Sequence, residues 1–213
     1  EATVPFWKQQ GINRLSIGIQ SFRDEDLAWM NRAHTAGQAL TAIALTKDAG
    51  ITNYSIDLIY GVPGLSDDAW KSNLEQAIAL GVPHISAYAL TVEPRTALDA
   101  MISKGKKEPV EMEQQARQFL ILMEMLEQAG YEHYEISNFA RPGLESRHNL
   151  NYWDQGDYLG LGCAAASYLD GIRWNNTRDL DLYLKTTPVL RENEEKLAGR
   201  ARTAERIMLG LRR

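Results

Sequence analysis

Three times within the first 130 residues, a short segment of alternating apolar and polar residues is followed by a helical pattern that stops at a glycine. In residues 13–22 (NRLSIGIQSF), Leu15, Ile17 and Ile19 fall on one side and Ser16, Gly18 and Gln20 on the other. That is the period-2 mark of a strand. A helical region follows over 24–49, split into two helices near Arg32-Ala33-His34-Thr35 and ended by Gly50. The next strand covers 53–60 (NYSIDLIY) and closes with Gly61-Val62-Pro63-Gly64. Ser66-Asp67-Asp68 caps a helix that runs through Trp70, Leu74 and Ile78 to Gly81. A third strand reads over 84–92 (HISAYALTV), and a long helix over 111–129 ends at Gly130. Repeated strand–helix units require parallel strands joined by crossover helices. The architectures open to them are a TIM-like barrel, whole or partial, and an open doubly wound sheet. No Gly-x-Gly-x-x-Gly follows a strand, which weighs against dinucleotide binding. Gln20, Asp57 and Glu93 lie late in, or just after, their strands, the edge at which both architectures place ligands.

After Gly130 the rhythm changes. Residues 131–137 (YEHYEIS) alternate as a strand. Arg141-Pro142-Gly143 leads to His148-Asn149-Leu150-Asn151-Tyr152-Trp153, and then to a stretch rich in small residues over 158–168. Small residues permit close backbone approach. Asp170-Gly171 marks a hairpin turn, and 179–184 a short helix. The division into parts is set at residues 1–130 and 131–213.

Composition narrows the function. With 44% hydrophobic and 24% charged residues in 213, the chain is an ordinary globular protein with length enough for a core. A net charge of −5 and a pI near 5.5 argue against a dedicated nucleic-acid binder. No apolar run approaches a membrane span, and the first residues lack the form of a signal peptide. The expected location is cytoplasmic. The one cysteine, Cys163, provides neither a disulfide framework nor a cysteine-based metal site. Glu1 is not a start methionine, and residues 203–213 read as a helix interrupted in mid-pattern, so the chain is read as a fragment.

Among individual residues, a carboxylate at Asp57 inside an apolar strand is costly unless it is paired or faces a polar cavity. Gln20 holds the matching late position on its strand, and Arg32 sits at the helix break, where an anion contact competes with a surface ion pair. His34 and His84 have no ligand spacing and read as structural, and Cys163 as packing. HNLNYW is a candidate ligand site: a histidine supplies an axial nitrogen, and Tyr152 and Trp153 supply flat apolar surface. Its plainer reading is a structured loop.

Taken in order, GINRLSIGIQSF (11–22), NRAH (31–34), IDLIYGVPG (56–64), HISAYALTVEP (84–94), GYEHYEISNFARPG (130–143) and RHNLNYW (147–153) resemble radical S-adenosylmethionine proteins. The subgroup is that of oxygen-independent coproporphyrinogen III oxidase, and within it the haem chaperone branch. The resemblance implies an α/β fold: the later strands of a partial six-stranded (β/α) TIM-like barrel, followed by a small β/α extension. It implies that Gln20, Arg32, Asp57 and, more weakly, Thr91 contact S-adenosylmethionine. It also implies that His148 binds haem, and that haem is delivered to membrane-bound respiratory proteins. No nucleic-acid partner is implied.

The family's Cys-x-x-x-Cys-x-x-Cys triplet, which holds a [4Fe–4S] cluster, is not in this sequence, so the cluster's ligands are expected outside it. Glu1-Ala2 is similar to a cofactor-contacting glutamate but stands too close to Gln20, and the role is not carried over. Relatives often have Cys where Ser146 stands and His where Ala166 stands. The rival readings are a true coproporphyrinogen III oxidase, which decarboxylates two propionates, and a cofactor-free α/β fragment with HNLNYW as a packed loop. A partial barrel is expected to leave strand edges and an apolar lumen uncovered, and so to self-associate.

Overall fold

The structure is a computed structural model that describes residues 3–186 and 188–213; Glu1 lies outside the described residues. The chain divides into two compact units, Glu1–Glu145 and Ser146–Arg213.

The first unit opens with α1 (Thr3–Gln9) and β1 (Arg14–Gln20). The helical region then splits as its sequence suggests, into α2 (Asp24–Trp29) and α3 (Ala36–Asp48). Thr35 and Gln38 form a reciprocal capping box that starts α3. Next come β2 (Asn53–Tyr60), α4 (Asp67–Ala79), whose N-cap Ser66 accepts from the Ala69 N–H, and β3 (His84–Ala89). β3 is shorter than the expected 84–92. Its partner β2 stops at Tyr60, where Gly61 turns at φ 72°, so no ladder remains for residues 91 and 92. After α5 (Ala97–Ser103) and α6 (Met112–Gln128), β4 (Glu132–Glu135) and β5 (Asn138–Ala140) form a hairpin.

The sheet order is β1-β2-β3-β5-β4, with β1, β2 and β3 parallel and β5 antiparallel to β3. The fold is mixed α/β with crossover helices, as expected. Residues 131–140 continue this first sheet, and the compact units divide at 145/146 rather than after 130.

Register sorts the two faces of the sheet. Ile19, Tyr54, Ile56, Leu58, Ile85 and Phe139 point one way and join Ile43, Trp70, Leu74, Leu122 and Leu126 in the core. The other face carries Ser16 beside Ser55, Ser55 beside His84, Asp57 beside Ser86, and Ser86 beside Asn138. The expected apolar lumen is therefore a polar face. Alternation puts the serines, Asp57 and Asn138 there, with Ile59 and Tyr88 further along the same face, while most apolar positions turn to the helices.

The second unit begins with α7 (Arg147–Trp153). HNLNYW is thus a helix and not a loop, because the Ser146 hydroxyl accepts from the Asn149 N–H and starts the turn. β6 (Ala166–Leu169) and β7 (Ile172–Asn176) form the expected hairpin, with Asp170 at φ 51° and Gly171 at φ 78°. These are the positive angles of a two-residue turn. Then come α8 (Leu180–Lys185), β8 (Arg191–Lys196), which pairs with β7, and α9 (Gly199–Gly210).

Candidate functional site

On the polar sheet face, Gln20 and Asp57 come together. The β1–β2 register shifts between Ile17 and Gln20, and Gln20 adopts φ 65°. A non-glycine residue held there costs about 1–3 kcal/mol and persists only where its surroundings enforce it. A Cβ built on Gly18 would lie 2.8 Å from Gln20 Nε2 and 3.9 Å from Asp57 Oδ2. The Gln20 amide thus occupies the space that the glycine leaves free, next to the carboxylate.

Burial pushes the Asp57 carboxyl upward, and hydrogen bonds from the Ser86 and Ser16 hydroxyls pull it back. Tyr88 borders the same patch: burial raises its phenol, a hydrogen bond with Ser86 lowers it, and the charges of Asp57 and Glu135 raise it further. An acceptor carboxylate beside an amide suits a ligand edge rich in hydroxyl and amino groups.

Arg32 and Thr91 line a different space. A cavity of about 630 Å³ is walled by Trp29, Met101 and Leu90, with Arg32, Thr91 and Lys107 as polar members; Gln20 and Asp57 are not among its lining. The four expected S-adenosylmethionine contacts therefore fall into two pairs. Arg32 follows the turn at Asn31, which has φ 55°. It is exposed, and no carboxylate among the described residues pairs with it. The ion pair that competed for it in the sequence is not formed. Lys107 lies 4.0 Å over the Trp29 ring and donates to the Trp29 carbonyl. Gln115 Nε2 donates to the Leu90 carbonyl at 2.8 Å and holds that wall.

His148 lies in the second unit, exposed on the first turn of α7. Its ring meets Tyr152 edge-on at 4.8 Å, and Tyr152 meets Tyr158 edge-on at 4.7 Å. The Trp153 Nε1 is buried with no partner among the described residues, and the Arg212 guanidinium lies over the ring, 4.8 Å from its centroid. An exposed imidazole on a short helix is accessible to a planar ligand's metal.

The other candidates lie apart from these pairs or at their edge. His34 bonds the Ile19 carbonyl at 3.0 Å, and His133 stacks on Phe139 at 4.2 Å. His84 is buried against the Tyr134 hydroxyl at 2.7 Å. Its pKa is lowered to about 3, by burial first and the Arg14 charge second. Cys163 Sγ faces the Thr177 and Arg178 carbonyls. Glu93 is exposed at the cavity rim. No group of three or more His, Cys, Asp or Glu suited to a metal occurs among the described residues, so these residues do not fit a [4Fe–4S] cluster.

Sequence reasoning did not single out Gly18, Ser16, Ser86 or Lys107. The first three share the period-2 row with Gln20 and Asp57, which is the signal that identifies them. Lys107 sits in a connection without periodicity and had none.

Residues 1–77 match the radical SAM superfamily. The chain is 38% identical over 203 residues to the haem chaperone HemW of Lactococcus lactis, covering 95% of this chain and 54% of that protein. It is 44% identical over 180 residues to the HemW of Synechocystis, covering 83% of this chain and 43% of that one. In fold, it superposes on the coproporphyrinogen III oxidase HemN of Escherichia coli, described as a radical SAM enzyme. The TM-score is 0.74 at 24% identity, over 92% of this chain and 48% of that one. Residues 1–77 thus carry the radical SAM match, the chain is a homologue of the haem chaperone HemW proteins, and it spans about half the length of the curated relatives it matches.

Proposed function

We propose that this chain is the part of a radical SAM haem chaperone that binds S-adenosylmethionine through its first unit and haem through its second. The observation that carries the reading is His148: an exposed imidazole on α7, flanked by Tyr152 and with no hydrogen bond to it among the described residues. A neutral imidazole nitrogen left open is the form that ligates iron. The name borne by the relatives supports haem as the cargo.

In the first unit, Asp57 accepts hydrogen bonds from the cofactor's hydroxyl or amino groups and Gln20 adds an amide beside it. Arg32 pairs with its carboxylate, and Thr91 contacts it from the β3 exit. S-adenosylmethionine held by these residues would supply 5′-deoxyadenosyl radical chemistry only if a [4Fe–4S] cluster provided the electron that cleaves it. The residues of this chain bind and orient the cofactor, and the cluster's ligands lie outside it. In this reading the protein works in the cytoplasm and hands haem to membrane-bound respiratory proteins. No helix among the described residues is long and apolar enough to cross a membrane.

The test is a haemin titration of the full-length protein and its His148→Ala variant, followed by absorption spectroscopy. The parent is expected to show a shifted Soret band that weakens in the variant. Equal spectra and affinities would remove His148 from the site. Conversion of coproporphyrinogen to a vinyl product by the intact protein would replace the chaperone reading with the oxidase.

A further inference from the structure

His148 has no hydrogen-bond partner among the described residues. A histidine that ligates a metal normally has its second nitrogen held by a carboxylate, carbonyl or water, which fixes the ring's orientation. Here the ring is held by another ring. Tyr152, one helical turn further along α7, meets the imidazole with centroids 4.8 Å apart and planes at 86°. Tyr152 is in turn met by Tyr158, at 4.7 Å and 75°.

Tyr158 ties this series to the β6–β7 hairpin through its backbone. Its N–H donates to the Tyr168 carbonyl at 2.7 Å, and the Tyr168 N–H donates back at 2.9 Å. The two rings lie 6.3 Å apart, and Tyr168, on the β6–β7 hairpin, is only 3% exposed. A series of four rings therefore runs from the buried hairpin out to the exposed imidazole. Edge-to-face geometry at these distances is the favourable arrangement of aromatic pairs.

We infer that Tyr158 is a positioning residue for haem ligation, acting on His148 through the ring of Tyr152. The inference rests on the haem reading of His148. The hydroxyl of Tyr158 is not required; the flat ring and its anchorage to Tyr168 are. Ordering a free side chain on binding costs affinity, and a buttressed imidazole has less order to gain. Aromatic pairs of this kind contribute about 0.5–1.5 kcal/mol, so removing the ring weakens binding about two- to twelvefold.

The experiment titrates haemin into the full-length protein. The variants are Tyr158→Leu, which keeps apolar volume without a ring, Tyr158→Phe, His148→Ala, and the Tyr158→Leu/His148→Ala double. Affinity is read from the Soret band and axial ligation from the electron paramagnetic resonance spectrum. Tyr158→Phe is expected to match the parent. Tyr158→Leu is expected to lose affinity by the stated factor and to broaden the axial-ligand signature. In the His148→Ala background it should have no further effect, since a residue acting through another is silent once that one is removed.

If Tyr158→Leu binds like the parent while His148→Ala does not, the inference fails and the haem reading stands. If Tyr158→Leu costs as much without His148 as with it, Tyr158 acts directly or through stability, and the inference also fails. If His148→Ala itself is silent, the haem reading fails first. Should Tyr158→Leu not fold, Tyr152→Leu on the same series must show the same dependence on His148, and its absence refutes the proposal equally.

Discussion

Gly18→Ala should move affinity and stability in opposite directions. Gly18 lies within β1 and is not among the residues at positive φ, so alanine is allowed there without backbone strain. Its Cβ would stand 2.8 Å from Gln20 Nε2, inside ordinary van der Waals separation. The obstacle is the far end of a flexible side chain, so the amide moves aside by roughly half an ångström or more, and the backbone does not. A glycine replaced within a strand at a compatible angle stabilises the fold by about 0.4–1 kcal/mol, because the unfolded chain has fewer conformations to lose. The displaced amide, however, no longer stands beside Asp57. One neutral hydrogen bond is worth about 0.5–1.5 kcal/mol, so S-adenosylmethionine should bind about two- to twelvefold more weakly. The assay is equilibrium binding of S-adenosylmethionine to the full-length protein, paired with urea unfolding of both variants. Unchanged affinity in Gly18→Ala, with a loss in Gln20→Ala, would refute the claim that Gly18 makes room for the amide. Unchanged affinity in both would remove Gln20 from the site.

Arg32→Ala should leave urea stability within about 0.5 kcal/mol, as expected of an exposed side chain with no partner. It should weaken S-adenosylmethionine binding by more than tenfold if a charge-assisted contact worth about 1.5–3 kcal/mol is lost; equal affinities would refute that contact. His84 gives a pH dependence. Its folded-state pKa of about 3 lies below the unfolded value of 6.5, so the stability it contributes is complete above pH 6.5 and is lost as pH falls toward 3. Between pH 7 and pH 5 that loss is about 2 kcal/mol, and His84→Gln should flatten the fall in urea midpoint by that amount; an identical slope in both proteins would refute it. Gly160→Ala should destabilise the second unit by about 1–3 kcal/mol, since its Cβ would run into the Ala166 carbonyl. Urea unfolding followed by tryptophan fluorescence would read it, and a neutral result would mean that the 158–168 segment can shift.

Periodicity carried most of the fold. The residues of β2, the split between α2 and α3, and the Asp170-Gly171 turn could all be read because each rests on local signals: alternation, a cap, a positive-φ pair. What could not be read depended on partners. β3 ends early because β2 does, which no residue of β3 announces. β5 pairs with β3 across some fifty residues, and only three residues mark it as a strand. HNLNYW has too few apolar positions to declare a helix, and the cap at Ser146 decides it. The expected apolar lumen had the opposite fault, since a general picture of barrels was set above the alternation already visible in Ser16, Gly18 and Gln20. Of the proposed contacts, Asp57 and Gln20 meet beside Gly18, across the register shift that ends β1. Arg32 and Thr91 lie in turns, where sequence supplies residue type but not placement.

The polar sheet face also restricts what can occupy it. An ionised carboxylate offers about four acceptor sites. Two hydroxyls, from Ser16 and Ser86, reach Asp57, which leaves acceptor capacity unused on a side chain already carrying a desolvation cost. Unused capacity on a half-buried carboxylate must go to water or to a ligand's donors. Arg32 states the complementary requirement, as a cation with no ion-pair partner among the described residues, at a cavity that Lys107 and Glu93 also line. A small ligand that meets both must offer donor groups to Asp57 and a carboxylate to Arg32. In the proposed reading S-adenosylmethionine supplies both, its hydroxyl or amino groups to the first and its carboxylate to the second, and a purely apolar ligand does not. The same reasoning excludes haem from the Asp57 pair, because propionates beside an unneutralised carboxylate would repel it. His148 is exposed and follows Arg147 at the start of α7, and the proposal therefore gives the two ligands to different units.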